Sequence, residues 1–142
     1  MTIRHAAETQ AAFMNACKQH VRVGNPSGPL ANLYVDLMRE EVEETVEAWN
    51  SAVLRTELAG DGADLVELAA KVVDGAVDTI FVSLGLLNAL GVNAEAAWQE
   101  VVKSNQSKLG PNPQFREDGK LLKDAGFVEP DFARVVRESW AL

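Results

Sequence analysis

The chain has 142 residues, 47% of them hydrophobic, which is enough for one sizeable core and too apolar for a disordered segment. A net charge of −8 argues against indiscriminate binding of nucleic acid or an anionic membrane, so an anionic ligand would need a cation between it and the protein. The single cysteine, Cys17, excludes an intramolecular disulfide and a cysteine-rich zinc site.

Aromatic residues and alternating β-branched runs are few, while Ala, Leu, Glu and Val are plentiful, so the composition leans all-α. Thr2 can cap a first helix whose apolar positions Ile3, Ala6, Phe13, Cys17 and Val21 roughly follow helical spacing. The N-terminus lacks an apolar run behind Arg4, so no signal peptide is expected. Gly24-Asn-Pro-Ser-Gly-Pro29 breaks the pattern, and Pro29 suits the first turn of a second helix reaching the middle fifties.

That second helix holds five glutamates, at 40, 41, 43, 44 and 47. Residues three and four apart share a face, so Leu37, Glu41, Glu44 and Ala48 form one stripe. Met38, Val42, Val46 (with Thr45), Trp49 and Val53 form an apolar stripe beside it, which the spacing predicts to be buried. Glu43 and Glu47 face the other way. An acidic run on a helix is as often a solvated face as a site. Its weight rises because a second acidic element follows.

Gly60-Asp-Gly62 punctuates the chain, with Asp61 as a helix cap, and a third helix is predicted over about 62–90. Its core stripe is expected at Leu65, Ala69, Val72, Ala76, Ile80 and Leu87. Glu67, Asp74 and Asp78 lie close to one line on this helix, and Lys71 shares that face and can pair with them. Asp78 opens the uncharged run Thr79–Leu90, where a lone buried carboxylate costs several kcal/mol (about) unless paired, protonated or bound to metal. Two helices with facing carboxylate pairs offer up to about four oxygen donors, a set suited to magnesium or manganese and not to zinc. The uncharged run from Thr79 to Ala94 is too short and too polar to span a membrane, so a cytoplasmic protein is expected.

Gly91 stops the third helix and Asn93 caps a fourth, Ala94 to about Lys108, with Ala97, Trp98, Val101 and Val102 on its inner side. Lys103 and Lys108 near its C-terminus are favoured by the helix dipole in any protein, and beside a carboxylate–metal site Asn105 and Lys108 are natural phosphate contacts. Beyond it, Gly110-Pro-Asn-Pro113 cannot be helical, Asp118-Gly119 signals a tight turn, and Pro130 opens a short last helix with Phe132, Val135, Val136 and Trp140. Lys120 and Lys123 in this tail can close over the same ligand or simply keep the loop soluble.

With these residues in view, the chain resembles the MazG-like all-α nucleoside triphosphate pyrophosphohydrolases, a superfamily that includes the all-α dUTPases and phosphoribosyl-ATP pyrophosphohydrolase. The matching pieces are Glu41-Val-Glu-Glu44 with Ala48, Val77-Asp-Thr-Ile-Phe-Val-Ser-Leu-Gly85, Leu90-Gly-Val92 and Ser104-Asn-Gln-Ser-Lys108. The tail Glu117-Asp-Gly-Lys-Leu-Leu-Lys123, with Gly126 and Pro130-Asp131, is similar to that of phage and bacterial members.

The resemblance implies one all-α domain over 1–142, a helical bundle completed by a homodimer or homotetramer. An N-terminal helix lies within 1–24, the catalytic helices within 29–108, and a mostly irregular tail over 109–142 covers the site. It implies a Mg2+ site, with Mn2+ as a substitute, held by Glu41, Glu44 and Asp78. Gly75 stands where the family has its third glutamate, and Asp74 is the residue that would replace it. Glu40 orients the attacking water, Asn105, Lys108 and Lys120 hold phosphates, and Phe13, Asn15, Tyr34 and Gly85 (with His20 near them) are candidates for reading the base. The implied reaction converts a nucleoside triphosphate, with deoxynucleotides such as dUTP as the expected substrates, to the monophosphate and pyrophosphate, without nucleic acid or membrane as partner. Phosphoribosyl-ATP hydrolysis, or a non-enzymatic adaptor or ion-binding role, are the other readings.

Overall fold

The computed structural model describes residues 2–60 and 64–142. Five helices follow in order: α1 Ile3–Ala16, α2 Gly28–Ala59, α3 Leu65–Ala89, α4 Ala94–Gln106 and α5 Phe132–Ser139. No strand occurs among the described residues; the tail holds one antiparallel bridge, Phe115 to Leu121, around the Asp118-Gly119 turn. The all-α expectation is met.

The helix ends follow their caps. Thr2 accepts from the His5 amide and Asn93 from the Ala96 amide, while Gly91 takes a φ of +65° that suits glycine after the α3 terminus. The cap of α3 is Asp64, which accepts from the Glu67 amide at 3.0 Å. Asp61, the expected cap, lies outside the described residues. The first helix ends at Ala16, earlier than its apolar spacing suggested, because Lys18 at φ +63° turns the chain.

α2 and α3 form a long antiparallel hairpin and the principal packing contact of the fold. At its middle the helices touch backbone to backbone. A Cβ on Gly75 would fall on the Thr45 hydroxyl and 3.1 Å from Thr45 Cα. α1 lies antiparallel along the second half of α3, with Ala7 beside Leu84 and Phe13 edge-to-face on Phe81 at 5.4 Å. Met14, Tyr34, Val82 and Ala89 form the best-buried cluster where α1, α2 and α3 meet.

A polar chain crosses this core. Gln10, fully buried, donates to the Tyr34 hydroxyl at 3.2 Å and accepts from Asn88 at 2.8 Å, and Tyr34 donates to Gln19 at 2.9 Å. Each buried polar group is satisfied, the condition under which such a chain fixes one packing arrangement.

The structure corrects the predicted core faces. On α2 the buried seam is the stripe that carries Glu41, Thr45, Ala48 and Ala52, whereas Val42, Val46 and Trp49 are about half exposed or more (46%, 51% and 59%). On α3 the buried line is Leu68, Gly75, Val82, Gly85 and Ala89, and the expected Leu65 and Ile80 are 62% and 57% exposed. Both helices are apolar on two sides, and periodicity alone does not say which side meets the other helix. On α4, Trp98 is exposed, and the buried residues are Ala94, Glu100 and Ser104.

By length and composition α3 would pass for a membrane span. Here it is the central helix of the bundle, packed along α2 and α1.

α5 is held by charge. Glu100 on α4 accepts from the Asp131 amide at 2.9 Å and from Arg134 at 2.6 Å, and Arg134 also reaches Glu138. The Asp131 amide, then Arg134, hold the Glu100 carboxyl below the ordinary glutamate value. A lowered folded-state value gives stability that is present above the unfolded value and is lost as pH falls through the folded one. Glu100→Gln should therefore lower the thermal midpoint at neutral pH, and the gap to wild type should close below the ordinary glutamate range. Trp140, whose indole donates to the Leu90 carbonyl at 2.7 Å, gives a fluorescence readout of α5 docking.

Candidate functional site

The hairpin register sets the site. Thr45 faces Gly75, so Glu41 and Glu44, on one face of α2 just before and beside Thr45, come level with the α3 turn that carries Asp74 and Asp78. Glu41 lies partly buried in the seam; Glu40, Glu44, Asp74 and Asp78 are exposed around it. Partial burial, followed by the charges of Asp78, Glu44, Glu40 and Asp74 in that order, raises the Glu41 carboxyl above the ordinary glutamate value. The five carboxylates singled out on the two helices thus form one electrostatic cluster.

Among the described residues no cation answers it. Among the described residues, none of these five carboxylates has a lysine or arginine nitrogen within ion-pair distance. Lys71, which shares a face with Glu67, Asp74 and Asp78 and was free to pair with any of them, pairs with Glu67 at 3.5 Å.

The donor set is entirely carboxylate, which suits a hard divalent cation. Among the described residues no three acidic or imidazole side chains are gathered tightly enough to form a coordination shell as they stand. Ligation therefore requires the exposed carboxylates to turn toward Glu41, a rotamer change open to surface side chains.

Position 75 explains its own departure from the family pattern. A glutamate there would have to begin inside Thr45, so the close crossing of α2 and α3 and a ligand at 75 exclude one another. Asp74, one residue earlier, is exposed and contributes to the field on Glu41.

The phosphate-binding candidates are elsewhere. Lys108 reaches Asn105 Oδ1 at 2.7 Å at the end of α4, and its Nζ lies 5.7 Å from the Phe127 ring centroid. Lys123 sits on the same ring at 4.2 Å and pairs with the exposed Glu129 at 3.4 Å. Lys120 is exposed, and its backbone closes the Arg116–Asp118 turn. The structure therefore joins Lys123 to Lys108, with Phe127 as the platform. Sequence reasoning passed over Phe127, and nothing short of the fold links it to a lysine nineteen positions earlier.

The base-reading candidates separate into two groups. Tyr34 and Gly85 face each other inside the protein: a Cβ on Gly85 would fall within the Tyr34 ring and 2.7 Å from Gln10 Nε2. The ring for which Gly85 leaves space is Tyr34's own. Phe13 is half exposed on Phe81, one turn beyond Asp78, and Asn15 accepts from the Val21 amide at 2.9 Å, holding the loop after α1. His20 is exposed in that loop.

A comparison with curated proteins finds no match. A comparison with protein families matches residues 11–105, the span from the middle of α1 to the end of α4, to phosphoribosyl-ATP pyrophosphohydrolase (PRA-PH). The matched span contains the whole carboxylate cluster and leaves the lysine-bearing tail beyond it. With the all-α hairpin and its paired acidic faces, this match shows that the chain belongs to the phosphoribosyl-ATP pyrophosphohydrolase family, pyrophosphohydrolases of the MazG-like all-α superfamily that act on phosphoanhydride bonds.

Proposed function

We propose that the chain is a metal-dependent nucleoside triphosphate pyrophosphohydrolase, converting a (d)NTP and water to the (d)NMP and pyrophosphate, with deoxynucleotides such as dUTP as substrates. The observation that carries the reading is the carboxylate cluster around Glu41, drawn from two helices and without a basic partner among the described residues, in a chain of this family. Glu41, Glu44 and Asp78, with Asp74 in place of a glutamate at Gly75, are the residues that would hold Mg2+ or Mn2+. When bound, such an ion neutralises phosphate charge and makes a water more acidic.

Glu40, adjacent to the cluster and exposed, accepts the proton of the water that attacks the α-phosphorus. Asn105, Lys108 and Lys120 hold phosphate oxygens. Phe13 offers an exposed ring for the base, and Asn15 lies two residues further along α1; Tyr34 and Gly85 support that wall from within. The working protein is a cytoplasmic homodimer or homotetramer, with no nucleic acid or membrane partner.

A second reading, hydrolysis of phosphoribosyl-ATP, is favoured by the name of the matched family. It shares the bond cleaved and the cluster, and differs in what the pocket must admit. The tail supports the first reading, since it resembles the nucleotide-pool members.

The test is a panel of the canonical ribo- and deoxynucleoside triphosphates together with phosphoribosyl-ATP, assayed with Mg2+ and then Mn2+. Pyrophosphate and a monophosphate are expected as first products, with deoxynucleotides turned over fastest. Orthophosphate as the sole first product overturns the reaction, and equal ribo and deoxy rates overturn the deoxynucleotide preference. Turnover of phosphoribosyl-ATP alone selects the second reading.

A further inference from the structure

Three helices come level at the carboxylates. Along α1 and α3 the partners keep one register: the Ala7 carbonyl accepts from Asn88, Gln10 Nε2 lies against Gly85, and Phe13 packs on Phe81. Both helices rise about 1.5 Å per residue in opposite directions, so Ala16, the last residue of α1, falls level with Asp78. Along α2, Tyr34 meets Gly85 and Thr45 meets Gly75, which brings Glu41 to the same level. The turn that follows α1 therefore begins at the height of the cluster, on its Asp74 side.

That turn is fixed from several directions. The Lys18 amide donates to the Asn15 carbonyl at 2.9 Å, and the Gln19 amide to the Met14 carbonyl at 2.9 Å. Asn15 Oδ1 accepts from the Val21 amide at 2.9 Å. The Gln19 side chain accepts from the Tyr34 hydroxyl at 2.9 Å, which ties the turn to α2. Lys18 takes a φ of +63° here, the left-handed position that closes a helix and that glycine occupies without strain. An L side chain is strained there, and such residues persist where a site has a use for them.

The residue that carries the strain is a cation. Lys18 is exposed, and among the described residues no carboxylate lies within ion-pair distance of it. Its ammonium group moves on a four-carbon stem from a backbone that the turn holds in place. A nucleotide laid along α3 meets these groups in order. With its base at the Phe13 and Phe81 rings and its α-phosphate at Asp78, its outer phosphates extend toward Asp74, the side on which Lys18 stands. Even with a divalent ion, Glu41, its four acidic neighbours and a triphosphate leave an excess of negative charge, which an ammonium group lowers.

We infer that Lys18 is a further phosphate-binding residue of this site: its ammonium group donates to the β- and γ-phosphate oxygens of the bound triphosphate, and the left-handed turn presents it. The inference rests on the reading of the Glu41–Asp78 cluster as the phosphate-hydrolysing site.

The test compares wild type with Lys18→Gly, Lys18→Asn and Lys18→Arg. Lys18→Gly relieves the left-handed backbone, so its thermal midpoint should equal or exceed that of wild type. Calorimetry in Mg2+ then follows the non-hydrolysable α,β-imido analogue of dUTP, pyrophosphate, and dUMP, which lacks the outer phosphates. Lys18→Gly and Lys18→Asn should bind the analogue and pyrophosphate about tenfold more weakly than wild type, and dUMP equally well. Lys18→Arg keeps the charge and should recover most of the loss.

Unchanged binding of the analogue and pyrophosphate by Lys18→Gly overturns the inference. So do equal losses for the analogue and dUMP, or a lowered midpoint in Lys18→Gly, either of which makes the lysine structural. A wild type that binds neither the analogue nor pyrophosphate overturns it as well. If wild type binds them and hydrolyses nothing in the panel, the proposed reaction fails on its own, and the Lys18 comparison still decides the phosphate contact.

Discussion

Glu41→Gln is expected to lower pyrophosphate release by at least about a hundredfold while leaving the thermal midpoint unchanged or slightly raised. Glu41 is the one carboxylate of the cluster drawn into the α2–α3 seam, and the other four surround it. A glutamine keeps the volume, so the crossing at Thr45 and Gly75 is undisturbed. It removes one charge from a group of like charges with no basic partner among the described residues, which relieves repulsion of about a few tenths of a kcal/mol per neighbour. Loss of activity with no loss of stability marks a site where the fold carries charge that only a ligand balances.

The check has a readout besides turnover. An ion that binds only the folded state raises its stability according to concentration and affinity. Wild type should therefore melt at a higher temperature in Mg2+ than in chelator, and Glu41→Gln should lose most of that shift. Asp78→Asn should behave alike. Glu43→Gln, an exposed glutamate outside the carboxylate set that bears on Glu41, should keep both activity and shift. A Glu41→Gln protein with full activity and a full Mg2+ shift would remove the cluster from the reaction.

The legible parts of this fold were those written in local chemistry. Thr2, Gly91 and Asn93 announce helix ends through side-chain caps and a positive φ, and each does so where the sequence placed it. The carboxylates at 41 and 44 and at 74 and 78 were readable as pairs because helical spacing fixes which residues share a face. What the sequence did not disclose is long-range. It took the Val42–Val46–Trp49 stripe for the buried one, when of that stripe Thr45 meets α3, together with Glu41, Ala48 and Ala52 of the acidic side. A helix apolar on both sides gives the same periodicity whichever side is covered by its own chain. Nothing local marks Glu100, because its partners Arg134 and the Asp131 amide come to it from the far end of the sequence.

Gly85→Ala is expected to be the most damaging single-methyl change in the chain, lowering stability by about 2–4 kcal/mol, more than the ordinary overpacking of a core. Alanine is the better helix former by up to about 1 kcal/mol, so a glycine in the middle of α3 is unfavourable on propensity alone. What holds it there is the approach of α2. The Tyr34 ring lies against the backbone at Gly85, where a Cβ would stand within the ring and 2.7 Å from Gln10 Nε2. Tyr34 is 2% exposed and cannot swing outward without breaking its bonds to Gln10 and Gln19, and Gln10 cannot move without releasing Asn88. Burial raises the Tyr34 hydroxyl above the ordinary tyrosine value, so it stays protonated, and a proton donor to Gln19, through the neutral range. One methyl group therefore meets an aromatic ring and a chain of buried hydrogen bonds that joins α1, α2 and α3. Tyr34→Phe separates the two costs: it keeps the ring and removes the hydroxyl, leaving Gln10 and Gln19 short of a partner, and should cost about 1–3 kcal/mol. In Tyr34→Ala the space exists, so adding Gly85→Ala should cost far less than it does in wild type. Urea unfolding of the four proteins gives this coupling directly, and additive losses would show that Gly85 is held by something other than the ring of Tyr34.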